Sequence, residues 1–569
     1  MDTSKIQKLW GLSNMRKDAK HKTNNHHSQY LEMRPDLDES SGLIPREELR
    51  IVEQTIKLHE SVENAAAIVR LEEIVAFIKL QESNIKATQE KPEKSEWDDE
   101  KQQVHFWDGY WDGCTYTAMD ELTLHDIGRD FLGWTSMYDG EPIAIDEMNE
   151  WLDETIATIQ SLPNGPESRV FEVGTGSGMI LFNLISGIRS YVGLEMSPTA
   201  VDFVKKTAQS MPRFSEKIHM FQGSAADIRS LELPIAPDLV VINSVAQYFP
   251  SQEYLIDVIE AILQIPTVET IYFGDIRSYA LHQEFLVSKI LNGPDEVTSK
   301  ADLSMRINEL LDKELELLID PAFFNSLSER FPGRIFQVEI HPKRLKAVNE
   351  LSCFRYAAVV FMKNRGHKYE SKIAEDAWID FTHREMDRES LLRLLQQSGG
   401  TVAVSNIKNS KTIFQSLLVD RLREQTEKPE DHGFDHWLAT VRKDAEALPS
   451  LSTIDLLEIA EKAGHQVEIS SARERSQRGG MDAIFHKSKT CGGGEKVKFH
   501  FPNDHGKVER SKLAMEPLLL QSRQAIREQI DEHLQSELPV HLLPSSIRIV
   551  DEMPTKDDGE VDYDLLSTI

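Results

Sequence analysis

The chain has 569 residues, room for about three to five folding units at roughly 100–200 residues each. Its 64 Lys and Arg against 94 Asp and Glu give a formal net charge of −30, which repels a phosphate backbone and excludes nucleic acid as a default partner. No run of about 18 apolar residues supports a membrane span, the opening MDTSKIQKLWG lacks a signal's apolar core, and Cys114, Cys353 and Cys491 form no CxxC, so metal and disulfide frameworks are disfavoured and a reducing, cytoplasmic setting is expected.

Residues 1–42 are polar. Lys5, Lys8, Arg16, Lys17, Lys20 and Lys22 lie near His21, His26 and His27, which reads as a solvated arm or an anion-binding tail. In 43–83, Leu49, Val52, Ile56 and Leu58 sit close to helical spacing, and VENAAAIVR and EEIVAFIKL read as two buried strands. A helix and two strands are too few for a domain, so the missing half must lie elsewhere in the chain. Residues 84–102 are charged and read as a linker.

From 103 to 363 strand-like and helical segments alternate, the pattern of an α/β layer fold. The predicted strands are RVFEVG (169–174), SYVGLE (190–195), IHMFQG (218–223), DLVVINS (238–244) and TIYFGDI (270–276), with RIFQVEIHP and FRYAAVVFMK closing the sheet. The charged segment 296–318 shows no strand pattern and reads as a lid or a surface helix. In 370–487, SLLRLLQQSGG and TIDLLEIAEKAGH read as helices ending near glycine. Residues 488–494 form a flexible joint. Residues 495–569 add the alternating KVKFHF, the amphipathic SRQAIREQIDEHLQSEL and the short strand SIRIVDEM.

Chemistry concentrates in Glu172-Val-Gly174-Thr-Gly176-Ser-Gly178, which follows a strand and opens a helix. Glycine lets such a turn reach unusual backbone angles and lets a ligand approach the main chain. Glu195 ends the next strand, where a carboxylate can accept from two ribose hydroxyls. A dinucleotide turn reads GxGxxG. The third glycine here comes one residue early and position 179 is Met, which disfavours a nicotinamide-dependent oxidoreductase. An acid at 172 suits a ligand with an ammonium better than one with a pyrophosphate, and S-adenosylmethionine carries an ammonium and a sulfonium. Further on, Ala226 can flank an adenine ring and Asp227 can accept from its amino group or cap a helix. Asn243 and Tyr248, in NSVAQY, fall at the sheet edge where ligands bind in open α/β folds.

FEVGTGSGMILFNL, YVGLEMSPTAVDFV, NSVAQYFPSQEYL, YFGDIRSYALHQEFL, PKRLKAVNELSCFRYAAVV and ARERSQRGGMDAIFH closely resemble the N-methyltransferase domain embedded in fungal non-ribosomal peptide synthetases. LGWTSMYDGEPIAIDEMNEW also looks like that family. The resemblance covers about 103–487. The flanks 43–83 and 495–569 look like the two parts of an adenylation domain's small C-terminal subdomain, into which that family inserts its methyltransferase. It implies an α/β fold: a class I S-adenosylmethionine-dependent methyltransferase, Rossmann-like with a seven-stranded sheet, within a small α+β subdomain. LPSSIRIVDEMPTKDDGEVDYDLL is similar to the closing adenylation motif, but Glu560 stands where the family ordinarily has its catalytic lysine, so adenylation is expected to be lost.

The resemblance implies S-adenosylmethionine as cofactor, held by Glu172, Gly174, Gly176, Gly178, Glu195, Met196, Ala226 and Asp227. Asn243 and Tyr248 are expected where the methyl group emerges. Trp134 and Tyr138 either cover cofactor or substrate or pack in the core. Asn349 and Glu350 either grip the amine or cap a helix, and Arg277 steadies a substrate carboxylate or makes an ordinary salt bridge. The acceptor is expected to be a small-molecule or carrier-bound amine, with a peptide synthetase or carrier protein as partner. The competing reading is a non-catalytic remnant or interaction module.

Overall fold

A computed structural model describes residues 44–70, 73–81, 96–123, 125–163, 167–363, 370–424, 433–487, 498–556 and 558–567. The expected N-terminal arm and the joint at 488–494 lie outside the described residues. The chain divides into two compact units, one from 1–101 with 518–569 and one from 102–517. The strands in chain order begin with β1 (Val62–Arg70), β2 (Glu73–Leu80), β3 (Arg169–Val173), β4 (Ser190–Glu195), β5 (Ile218–Gln222) and β6 (Leu239–Asn243). Next come β7 (Thr270–Arg277), β8 (Leu318–Ile319), β9 (Ile335–Pro342), β10 (Arg355–Met362), β11 (Glu370–Lys372) and β12 (Trp378–Asp380). The last are β13 (Val402–Ile407), β14 (Gln466–Ser470), β15 (Met481–His486), β16 (Lys498–His500), β17 (Ala514–Met515) and β18 (Ser546–Ile549).

In the smaller unit, β2 lies between β1, antiparallel to it, and β18, parallel to it. The helix Arg46–Lys57 buries Leu49, Val52 and Ile56 against this sheet. Ile530 and Leu534, from the helix Pro517–Glu537, fill the same core. The half-domain near the start of the chain is thus completed by residues near its end. Buried Glu53 ties them: its Oε1 accepts from Arg46 at 2.8 Å, the Ala67 amide at 2.8 Å and the Tyr563 hydroxyl at 3.1 Å. The expected linker differs in part, because Glu96–Tyr110 is a helix.

The larger unit is built on a seven-stranded sheet of order β5-β4-β3-β6-β7-β10-β9. The first five run parallel, and β10 runs antiparallel to both β7 and β9. Parallel strands covered on both faces read as continuous apolar runs, which is why LVVIN in β6 is buried throughout. This strand order, with its one reversed strand, is that of the class I methyltransferases. A second sheet, β12-β13-β15-β14, packs with the helices Arg388–Gln397 and Thr453–Lys462 around Phe381, Leu391, Leu456 and Phe485.

Two expectations are revised. The segment 296–318, read as a lid or a surface helix without strand pattern, holds the helix Lys300–Leu311, which buries Leu303 and Ile307 in a core shared with Phe285, and its last residue begins the two-residue β8, which pairs with β17. The strand in KVKFHF does not belong with the C-terminal half-domain. β16 pairs with β11 and Gln337 donates to the Phe499 carbonyl at 2.8 Å, so the boundary falls at 518 rather than 495. A three-residue strand needs a ladder partner, and the larger unit supplies it.

Candidate functional site

The glycine turn follows β3, which lies between β4 and β6 in the sheet. Gly174, Gly176 and Gly178 all have positive φ, at 77°, 56° and 87°. The closest approach is at Gly174, where a β-carbon would stand 2.3 Å from Val245 Cγ2. On one side of the turn Glu195, at the end of β4, is buried. Its Oε2 accepts from the Gly176 amide at 2.8 Å and its Oε1 from the Ser197 amide at 3.0 Å. These bonds hold the acid against the turn, and each oxygen keeps a second lone pair for a ligand hydroxyl.

Glu172, inside β3, is 2 % exposed. The Tyr191 hydroxyl donates to its Oε2, and Tyr191 also meets Thr175 Oγ1 at 3.1 Å. Burial pushes the Glu172 carboxyl up to about 8, against the Tyr191 hydrogen bond and with the like charge of Glu195 adding to the rise. An acid raised in this way is relieved by a cation.

Asn243 ends β6. It is buried, and its Oδ1 has no hydrogen-bond partner among the described residues. Ser244 takes φ 55°, and its hydroxyl donates to Asp275 Oδ2 at 2.8 Å. Tyr248 is half-buried, its ring 4.7 Å from Trp107 and 5.6 Å from Trp111. Trp111 in turn meets Tyr116, whose hydroxyl would lie 3.1 Å from a β-carbon on Gly176. An aromatic wall therefore runs from the glycine turn to the end of β6. A turn too tight for side chains, an orphaned buried amide oxygen and a buried acid without a cation fit a cationic, hydroxyl-bearing ligand in the crevice.

A pocket adjoins this crevice at the end of β7, lined among others by Met137, His282, Phe285, Glu350 and Arg355. Asp275 holds one of its lining residues, Arg355. It is fully buried with φ 58°, and pairs with Arg355 and with Lys343 at 3.3 Å, while Trp151 Nε1 donates to it at 2.9 Å. Burial pushes its carboxyl up, but Arg355 and Lys343 outweigh that and hold it well below the usual range. Ser244 bonds to the same carboxylate, so the glycine-turn crevice and the pocket share one polar link.

The other sequence candidates take the following places. Glu350 is buried at the pocket and its Oε1 accepts from the Met137 amide at 2.9 Å. Asn349 caps the helix Glu350–Cys353, its Oδ1 taking the Leu351 amide at 3.0 Å and the Ser352 amide at 3.1 Å, while its Nδ2 donates to Glu147 at 2.7 Å. Trp134 packs on Trp151 at 4.4 Å with the Arg355 guanidinium 6.0 Å from its ring, and Tyr138 packs on Phe285 at 6.1 Å. Met196, just after Glu195, is half-buried. Ala226 is exposed, and Asp227 closes a capping box, its Oδ2 accepting from the Ser224 amide at 2.8 Å. Arg277 is committed to an ion pair, at 2.9 Å to Glu314 and 2.7 Å to Glu316.

Residues not singled out in the sequence also stand here: Asp275, His282, Lys343 and Arg355, which lie within the quoted blocks, and the wall residues Trp107, Trp111 and Tyr116. An acid inside the apolar run TIYFGDI was the available signal for Asp275, and the aromatic density of FWDGYWDG was that for the wall.

Strand order and the glycine turn with its flanking acids thus define a class I methyltransferase fold. The chain is similar to one segment of fungal nonribosomal peptide synthetases. It is 41% identical over 531 residues to peramine synthetase ppzA of Metarhizium rileyi, covering 92% of this chain and 18% of that protein. It is 42% identical over 538 residues to the nonribosomal peptide synthetase TES of Alternaria alternata, covering 92% of this chain and 10% of that protein. The chain therefore spans less than a fifth of the length of these relatives. No protein-family model matches it. Among solved structures, magnesium protoporphyrin IX methyltransferase from Synechocystis, with bound SAH, aligns at TM-score 0.29 and 13% identity, covering 46% of this chain and 98% of that one. The strand order, not that low score, defines the fold. No helix among the described residues is long and apolar enough to cross a membrane.

Proposed function

We propose that the chain is an S-adenosylmethionine-dependent N-methyltransferase acting on an amine of an amino acid, peptide or related metabolite. The observation that carries this reading is Glu172: an acid buried at the glycine turn, pushed up to about 8 chiefly by that burial and further by the like charge of Glu195. An ammonium beside it restores its ionised form. Glu195 holds the ribose hydroxyls and the glycine turn admits the donor's amino-acid portion. Asn243 Oδ1 is available to a donor group at the mouth of β6.

The cofactor supplies an activated methyl group together with its leaving group. The chain's residues have to align the acceptor and exclude water, contributions worth about 7–11 kcal/mol in well-oriented reactions. A free α-amine titrates near pH 7.7–8.0, so a sizeable neutral fraction exists at pH 7 and a strong base is not required. Nitrogen as the target is supported by the blocks resembling synthetase N-methyltransferases. The smaller unit is read as an adenylation-type C-terminal subdomain, with Glu560 in place of the activating lysine, and a carrier protein or synthetase as the partner that presents the acceptor.

The test is to incubate the full chain with S-adenosylmethionine carrying an isotope-labelled methyl and a panel of N-acetylcysteamine thioesters of apolar amino acids, and to locate the label by mass spectrometry. Label on nitrogen supports the reading. Label on oxygen or carbon overturns the nitrogen assignment, and binding without any transfer supports the remnant reading.

A further inference from the structure

We propose that Asp112 is a positioning residue for the methyl donor: it latches the aromatic segment 107–116 over the crevice and, through Ser197, steadies the acid Glu195 that meets the ribose. This rests on the S-adenosylmethionine reading above and extends it to a residue outside the glycine turn and its flanking acids.

The segment 107–116 ends the helix Glu96–Tyr110 and runs through a π-helical turn, Trp111–Thr115, to Tyr116. Such turns are frequent at functional sites. The segment touches the chain after three neighbouring strands. Trp107 and Trp111 pack on Tyr248, after β6, at 4.7 and 5.6 Å. The Tyr116 hydroxyl stands 3.1 Å from a β-carbon built on Gly176, after β3. Asp112 reaches the chain after β4: its Oδ1 accepts from the Ser197 hydroxyl at 2.5 Å and from the Thr199 amide at 3.3 Å. Because β3 lies between β4 and β6, this one short segment spans the crevice from side to side. A ligand seated between the glycine turn and Glu195 has the strap as its outer wall.

The latch and the ribose acid share one residue. The Ser197 amide donates to Glu195 Oε1 at 3.0 Å. Its hydroxyl donates to Asp112 and accepts from the Ala200 amide at 3.1 Å, which caps the helix Pro198–Gln209. A carboxylate at a helix N-terminus is favoured by the free amides and the helix dipole. Burial pushes the Asp112 carboxyl up, but the bonds from Ser197 and Thr199 outweigh it and hold the acid below its usual range. With Asp112 removed, the Ser197 hydroxyl loses the acceptor that orients it and the strap loses its polar hold on the β4 side. A bound donor then escapes more readily. Asparagine keeps an acceptor oxygen for Ser197 and Thr199, and with it the latch.

The test mixes the full chain with S-adenosylhomocysteine in a stopped-flow instrument and follows association and dissociation by tryptophan fluorescence, to which Trp107 and Trp111 contribute. Asp112→Ala should release the ligand at least fivefold faster than wild type, with association within threefold, and Asp112→Asn should recover most of the loss. Ser197→Gly removes the hydroxyl that meets Asp112 while glycine still caps a helix nearly as well, so it too should release the ligand at least fivefold faster. A helix-capping role alone would lower Tm and leave the release rate unchanged. An acceleration below fivefold in Asp112→Ala, or in Ser197→Gly should Asp112→Ala not fold, overturns the assignment, as does an Asp112→Asn protein that releases the ligand as fast as Asp112→Ala. Failure of wild type to bind S-adenosylhomocysteine at all overturns instead the reading on which the assignment rests.

Discussion

Gly174→Ala is the sharpest perturbation of the glycine turn. The residue sits at φ 77°, in the left-handed region, and a β-carbon there would lie 2.3 Å from Val245 Cγ2. Holding an L-residue in that conformation costs about 1–2 kcal/mol. Forcing a methyl into the packed contact adds about 1–3 kcal/mol. The sum, about 2–5 kcal/mol, divides between lower stability and lower cofactor affinity, because the turn can relieve the clash only by moving. If it all fell on binding, the affinity would drop by about 30-fold to several thousand-fold, at about 1.4 kcal/mol per tenfold. Calorimetric titration with S-adenosylhomocysteine, alongside thermal unfolding, measures both parts. Adding Val245→Ala should remove the steric part and leave the conformational part. Gly176→Ala is the internal control: φ is 56° and the nearest atom, Tyr116 Oη, lies 3.1 Å away, so its cost should approach the conformational part alone. A Gly174→Ala protein with wild-type affinity and wild-type Tm would refute the reasoning.

Three further outcomes follow from the same geometry. Because Glu172 is raised to about 8 by burial, it is largely protonated below that pH and must ionise to meet an ammonium; affinity for S-adenosylmethionine should climb about tenfold per pH unit from pH 6 towards 8, with proton release visible in buffers of different ionisation enthalpy, and a flat profile would count against the role. Asp275→Asn keeps a residue that tolerates the left-handed backbone but strands Arg355 and Lys343, so urea unfolding should show a loss of about 3–5 kcal/mol. The native carboxyl is held below its unfolded value near 3.9, so its contribution is full above that pH and lost as pH falls towards the folded pKa. Glu53→Ala removes the acceptor shared by Arg46, Ala67 and Tyr563 and leaves the Ala67 amide unpaired, which should cost the smaller unit about 2–4 kcal/mol; a change below 0.5 kcal/mol in its unfolding transition would show that this acid does not join the two chain ends.

The strands of the larger sheet were legible because parallel strands covered on both faces must be apolar throughout, and the glycine turn because close backbone approach restricts the residue type. The seven predicted strands of that sheet all form. The shortest strands were not legible: β8 and β17 have two residues each, too few for a period of two to appear, and the pairing of β16, itself visible in KVKFHF, with β11 depends on a segment far away in sequence. The same limit hid the boundary at 518. Within the site, Glu172, Glu195 and the glycines stand at fixed offsets from one turn. Asn349 and Asp227 carry side chains that serve equally as ligands or caps, and the structure gives both a capping role. His282, Arg355 and Asp275 come together only through the pairing of β7 with β10 and the helix that follows β7, a relation that spacing along the chain does not encode.

The central claim is that this crevice selects a methyl-bearing sulfonium donor. Titrating the full chain with S-adenosylmethionine and, separately, with a nicotinamide dinucleotide tests it most directly. The account predicts one-to-one, micromolar binding of the former, abolished by Glu195→Ala, and no measurable binding of the latter. Heat from the dinucleotide alone, or none from S-adenosylmethionine, would contradict it.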